Sequence, residues 1–317
     1  MRLNQKRIIT VLIVACATLF MIIEIQGEKN TRKQLKFGAT YMTMNNPYFV
    51  NLDENIEEAV QAKGDILITR DPLQDQKKQN DQIKDMINEG IDVLFLQPVN
   101  RKKVRPALEL CRKKHIPVFV IDSEVSSTEK AVVSTIVSDN YDAGVQCAKD
   151  MMKKKTSANI VIVNQKVLNS INERVKGFCD TIKGHPEFKI IEEQESAAEF
   201  EVAMKVMEKI IYKNENYDVV MGGNDPIALG CIAAMQMTEK TDKVMVYGVD
   251  GSPDAKAMIK AGFMEGTAAQ SPVKIGEKAV QTAYSYLAGE TVERHITIPV
   301  ELVTADNLKF YDMTGWQ

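Results

Sequence analysis

Asn46, Asp122, Asn224, Asp250 and Gln270 each stand where a strand-like run stops and a helix-like stretch begins. All are planar polar side chains that offer paired acceptors, or a donor beside an acceptor. That set suits the vicinal hydroxyls of a small polyol. Tyr48 and Phe49 follow Asn46 at once, in TYMTMNNPYFVNL (40–52). Two rings there can pack on the apolar C–H face of a pyranose or furanose. Each position taken singly has a plainer role. Asn45-Asn46-Pro47, Asn224-Asp225-Pro226, Asp250-Gly251-Ser252-Pro253 and Gln270-Ser271-Pro272 pair a cap with a proline. The cap satisfies free helix N–H groups, and proline fits the first helical position. The rings would then only close the helix start. It is the recurrence of such groups at one end of the strands that points to a ligand.

The elements that must position these groups are regular from residue 36 onward. Short β-branched runs predict strands at 36–42, 65–70, 92–97, 117–122, 133–138, 159–164, 189–194, 218–223, 243–249 and 265–270. Between most of them lie amphipathic helical patterns such as NLDENIEEAVQAKG and DQKKQNDQIKDMINEG, each ending in a glycine. Alternation of this kind predicts an α/β fold with parallel sheets covered on both faces by helices. Ten strands are many for one sheet, so two sheets of five or six strands are expected, with a break near Ser138-Asp139-Asn140. Ligands of open α/β sheets bind beyond the carboxyl ends of the strands. That rule selects the groups named above, with Gln97-Pro98, Ser123 and Asn164-Gln165 at equivalent ends.

Composition narrows the function. The chain is 44% hydrophobic with a net charge of −3, and no long charged block follows residue 35. Nucleic acid is therefore not an expected partner. Arg2, Lys6 and Arg7 precede the uncharged run IITVLIVACATLFMII (8–23). A positive start before an apolar run reads as an export signal. Three fates of residues 1–35 stay open: an uncleaved membrane anchor with a polar tether, a lipoprotein signal at Cys16, or a cleaved signal. An apolar run cannot enter a DNA groove, which argues against a regulator with an N-terminal helix-turn-helix. Cys111, Cys147, Cys179 and Cys231 are well separated, with no CxxC pair, and read as small buried residues. The histidines share no metal-ligand spacing, so neither metal nor cofactor is implied. GGNDP (222–226) lacks the lysine and Ser/Thr of a phosphate loop, and no nucleophile elbow is present. A binding protein rather than an enzyme is expected.

NNPYFVNL, ILITRDPLQDQKKQNDQIKDMINEGIDVLFLQPV, IPVFVIDSEV, IVSDNYDAG, INERVKGF, VVMGGNDPIALG, VYGVDGSPDAKAMIKAGFMEGTAAQSPVKIG and IPVELVT occur in this order. In order and spacing they resemble the periplasmic sugar-binding proteins of the ribose-binding type, over about residues 36 to 303. The resemblance implies two similar doubly wound lobes with parallel sheets, joined by a three-strand hinge and closing over one sugar. It places the lobes at 36–138 plus 272–300 and at 140–269 plus 302–317. It draws Asn46, Tyr48, Phe49 and Asp122 from the first lobe, Arg174, Asn224 and Asp250 from the second, and Gln270 from the hinge. Arg174 brings a fork of donors suited to hydroxyl and ring oxygens, with Asp250 or Asp122 to balance its charge. Two departures stand out. Ser123 occupies the place of an arginine that contacts ribose, and Ala198 or Phe200 falls where a second-lobe aromatic belongs. A pentose or hexose is the expected ligand, with ribose itself the weaker candidate. The resemblance implies a location outside the cytoplasm. The expected partner is an ABC permease, with a membrane sensor such as a histidine kinase or chemoreceptor as the alternative.

Overall fold

The computed structural model describes residues 33–126, 131–213, 216–238 and 244–316. The apolar run of 8–23 and the three fates weighed for it lie outside them. Among the described residues no helix is long and apolar enough to cross a membrane.

The chain opens with β1 (Lys36–Thr40), α1 (Pro47–Gln61), β2 (Ile66–Arg70), α2 (Gln76–Asn88), β3 (Val93–Leu96), α3 (Arg105–Lys113), β4 (Val118–Ile121) and β5 (Val132–Ser138). It continues with α4 (Asn140–Lys154), β6 (Ala158–Asn164), α5 (Asn169–Ile182), β7 (Phe188–Glu195), α6 (Phe200–Lys213), β8 (Val219–Gly222) and α7 (Asp225–Met237). Then follow β9 (Met245–Asp250), α8 (Pro253–Ala261), β10 (Gly266–Ala269), α9 (Pro272–Leu287), β11 (His295–Ile298), β12 (Glu301–Thr304) and a short 3-10 turn, Leu308–Phe310.

Two six-stranded sheets result, ordered β11-β5-β4-β3-β1-β2 and β12-β10-β9-β8-β6-β7. The orders are equivalent position for position, so the lobes are two copies of one doubly wound plan. Every pairing is parallel except β10 with β12. Central strands read as continuous apolar runs because helices cover both faces: all of VLFL in β3 and VFVI in β4 is buried. Each lobe has its own core, one around Leu94, Leu108 and Val120, the other around Ile160, Phe178 and Val249.

The chain passes between the sheets three times: between β5 and α4, between β10 and α9, and between β11 and β12. The ten predicted strands all form. β11 and β12, which the sequence reading did not include, add the sixth strand to each sheet.

Candidate functional site

The predicted caps form as read. Asn46 Oδ1 accepts from the Tyr48 N–H at 3.0 Å, with Pro47 on the first turn of α1. Asn224 Oδ1 accepts from Ile227 N–H at 3.0 Å at the head of α7. In both residues the carbonyl oxygen serves the helix, which leaves the amide N–H groups as donors; one from Asn224 reaches the Ala198 carbonyl at 3.5 Å. Ser252 and Ser271 cap α8 and α9 in the same way.

These helix heads converge on one cleft. The first lobe lines it with Met42, Asn46, Tyr48, Phe49 and Asp122. The second contributes Leu168, Ser170, Ile171, Arg174, Ala198, Asn224 and Asp250, and Gln270 comes from the crossing after β10. Every predicted ligand residue except Ser123 is therefore brought together. The Ser123 hydroxyl is committed elsewhere: it accepts from the backbone N–H of Asn169 at 3.1 Å and of Ser170 at 3.2 Å. Leu168, at the N-cap of α5, makes no side-chain cap bond, so a first-lobe serine caps a second-lobe helix. The choice between Ala198 and Phe200 also resolves. Buried Ala198 lines the inner cavity, while Phe200 is 39% exposed and lines a neighbouring outer cavity with Pro47, Pro226 and Leu229.

The polar floor is a charge network. Arg174 is buried and donates from Nε to Asn140 Oδ1 at 2.8 Å and from Nη1 to Gly223 O at 3.0 Å. Nη1 also lies 3.5 Å from Asp250 Oδ1. None of these bonds engages Nη2. Gln270 Nε2 donates to the same Asp250 oxygen at 2.7 Å. Burial pushes the Asp122 carboxyl up to about 6, against the pull of Arg174 and of the neighbouring Tyr48 and Gln97 side chains. Burial also raises Asp250 well above the carboxylate range; Arg174 opposes this, and Asp225 and Asp122 add to it. Two carboxyls thus share one arginine in a buried site, where charge is unfavourable unless further donors arrive.

Three cavity residues hold unusual backbone: Asp122 at φ 62°, Ala198 at φ 56° and Asp250 at φ 149°. Non-glycine residues with positive φ are strained, and such strain collects at ligand sites. Of the residues lining the cleft, Tyr48 and Gln270 each bury a polar atom without a hydrogen-bond partner, the hydroxyl and Oε1. Tyr48 is 2% exposed, and burial, then the Asp122 charge, raises its hydroxyl pKa. Orphaned groups of this sort cost about 1–3 kcal/mol each until a ligand meets them.

Sequence reasoning missed Met42, Leu168, Ser170 and Ile171 in the lining. None sits at a cap-proline junction. It also missed Asn140, which orients Arg174, and placed Gln97 at a strand end without a role. Gln97 accepts from Met42 N–H at 2.6 Å and stands beside Asp122.

Residues 37–291 match the family described as the periplasmic binding protein domain. The chain is 30% identical over 264 residues to the ribose import binding protein of Escherichia coli K12, covering 82% of this chain and 88% of that one. It is similar to the solved structure of an ABC transporter solute binding protein from Mycobacterium smegmatis with bound glycerol. That match has a TM-score of 0.84 and 27% identity, covering 90% of this chain and 100% of that one. A solute binding protein from Agrobacterium vitis with bound D-fucose gives a TM-score of 0.82 at 26% identity, covering 86% and 96%.

Proposed function

The chain belongs to the periplasmic binding protein family of the ribose-binding type, and from that footing we propose that it captures a pentose or hexose between its two lobes outside the cytoplasm and hands it to an ABC importer. The observation that carries this reading is the shared cavity, with its orphaned Tyr48 hydroxyl and Gln270 Oε1, the Asn46 and Asn224 amides, and the free end of Arg174. These are donors and acceptors at fixed angles around a space walled by rings, the complement of a polyhydroxylated ring. Sugar hydroxyls would donate to the two crowded carboxylates and relieve their burial. Nothing in the arrangement pairs a nucleophile with a base, and the family is one of binding proteins rather than enzymes.

The ligand-binding residues of this reading are Asn46, Tyr48, Phe49, Asp122, Arg174, Asn224, Asp250 and Gln270. Lobe boundaries at 36–138 plus 272–300 and at 140–269 plus 302–317 are in keeping with the sheet membership of each strand. Import is favoured over the sensor alternative because relatives 30% identical to this chain are ribose import binding proteins. The positive start and apolar run of residues 1–35 support export, with an uncleaved anchor, a lipoprotein signal at Cys16 and a cleaved signal all open.

The test is melting temperature against a panel of pentoses, hexoses and their derivatives. A sugar at a hundred times its Kd adds about 2.7 kcal/mol, hence a rise of roughly 5 °C or more. Arg174→Ala should abolish the rise, since removing one partner of a buried charge pair costs about 2–5 kcal/mol. No rise with any sugar sinks the reading.

A further inference from the structure

The segment after β12 turns back through the 3-10 turn and ends with its ring against the cavity wall. Trp316, the chain's sole tryptophan, meets Tyr48 edge-to-face, ring centroids 5.5 Å apart and planes at 76°. Phe49 meets the same Tyr48 ring at 5.4 Å and 82°. Tyr48 is therefore gripped between a neighbour on its own helix and a ring from the other lobe.

The grip has an anchor. Lys256 on α8 is 0% exposed, an uncommon place for an ammonium group. Its Nζ donates to the backbone carbonyls of Asp312 and of Gly315, the latter at 2.6 Å. Thr314 closes the turn between them, its N–H and hydroxyl both donating to Asp312 Oδ1 at 2.9 Å. A buried lysine spent on two main-chain carbonyls fixes the path of residues 312–315 and so the direction in which Trp316 leaves. Lys256 lies one helical turn beyond Ser252, the cap that follows Asp250-Gly251. One short rigid stretch thus carries both the Asp250 carboxylate and the clamp that aims Trp316.

We propose that Trp316, held by Lys256, is a positioning residue for the sugar site: a strap from the second lobe that seats Tyr48 of the first when the cleft is closed. This rests on the sugar-binding reading above. Tyr48 sends its unpartnered hydroxyl toward Asp122, Asp250 and Arg174, so a tilt of its ring moves a polar contact as well as the stacking face. Trp316 touches Tyr48 across the lobes, so opening the cleft breaks the contact and closing it restores the contact. The strap therefore couples cleft closure to the shape of the pocket, and the fit of different sugars depends on it.

The full chain supplies its own reporter, because all tryptophan emission comes from residue 316. D-Ribose, D-allose and D-fucose are titrated while emission and melting temperature are followed together. The sugar that raises the melting temperature should shift Trp316 emission over the same concentration range. Lys256→Met should lose the emission shift. Trp316→Ala should bind that sugar about threefold to tenfold more weakly, with the ligand-free melting temperature unchanged, and Trp316→Phe should recover most of the affinity. The ratio of affinities among the three sugars should narrow in Trp316→Ala, a change that loss of stability alone would not produce. Stabilisation of the wild type with no emission change, and equal affinity in Trp316→Ala, overturns the strap while leaving the binding reading intact. Absence of stabilisation by all three sugars and by the wider panel removes both.

Discussion

Asp122 follows β4 with its backbone at φ 62° and its carboxyl buried in the cleft, where burial pushes its pKa up to about 6. In the unfolded chain the same group titrates near 3.8. Between these values the folded protein holds a proton that the unfolded chain has lost. Stability from this group is therefore fully present below about pH 4 and lost as pH rises through about 6, on the order of 3 kcal/mol in all. A ligand-free protein that melts lower at pH 7 than at pH 5, with the difference reduced in Asp122→Asn, is the expected result. Sugar hydroxyls favour the ionised carboxylate, so binding expels the proton. Affinity should then run the other way and be about tenfold weaker at pH 5 than at pH 7. Titration calorimetry in buffers of different ionisation enthalpy reads the released proton directly, and a flat affinity profile would refute the assignment. Asp122 was legible from sequence because a side chain that ends a strand must look into the crevice. Asn46, Asn224 and Asp250 were legible for the same reason. Arg174 was not, for it lies mid-helix with no junction to mark it, and only the resemblance of INERVKGF brought it in. Ser123 shows the limit of that rule. Its position beside the crevice is as read, but its hydroxyl turns to the head of α5.

The elements reach the site through two close approaches. A Cβ on Gly144 of α4 would stand 1.8 Å from the Arg174 carbonyl oxygen. One on Gly177 of α5 would stand 2.0 Å from the Tyr141 carbonyl oxygen. The two helices therefore touch backbone to backbone, and this contact lets Asn140 on α4 receive the Arg174 Nε–H. Backbone cannot yield as a flexible side chain does. Gly144→Ala should push α5 outward, cost about 1–3 kcal/mol in stability and withdraw Arg174 from the cavity. A drop in affinity larger than that of a core substitution equally costly but remote, such as Leu108→Ala in the first lobe, would identify the effect as positional. An affinity equal to that of the remote variant would mean that α5 adjusts without moving Arg174. At this scale most of the fold was readable: buried parallel strands are short β-branched runs, and amphipathic stretches separate them. Two of the four edge strands were not, because β11 and β12 are fixed by pairing with β5 and β10 rather than by any pattern of their own.

Across the whole molecule the lobes meet through bonds that need no sugar. Ser123 caps α5, Arg101 Nη1 donates to Asn169 Oδ1 at 2.5 Å, and Asn169 Nδ2 donates to Glu124 Oε2 at 3.1 Å. Gln74 reaches Glu199 in the same direction. If the cleft opens as proposed, all of them exchange for water, so each contributes a net of only about 1 kcal/mol. A ligand's apparent affinity scales with the fraction of protein already in the competent state. Ser123→Ala removes the acceptor of two such bonds without touching the cavity. Apparent Kd should therefore rise about tenfold, while the preference among sugars stays as in the wild type. Small-angle scattering supplies the second reading: saturating sugar should compact both proteins to the same radius, with more sugar needed for the variant. An unchanged Kd would mean that the direct bonds merely follow closure. A changed preference among sugars would return Ser123 to the pocket. The strap and the cap act on the same equilibrium from opposite sides of the cleft, one through Tyr48 and one through α5. Combining Trp316→Ala with Ser123→Ala therefore separates their roles. The specificity change should come wholly from the first, and the two affinity losses should add if each biases closure independently.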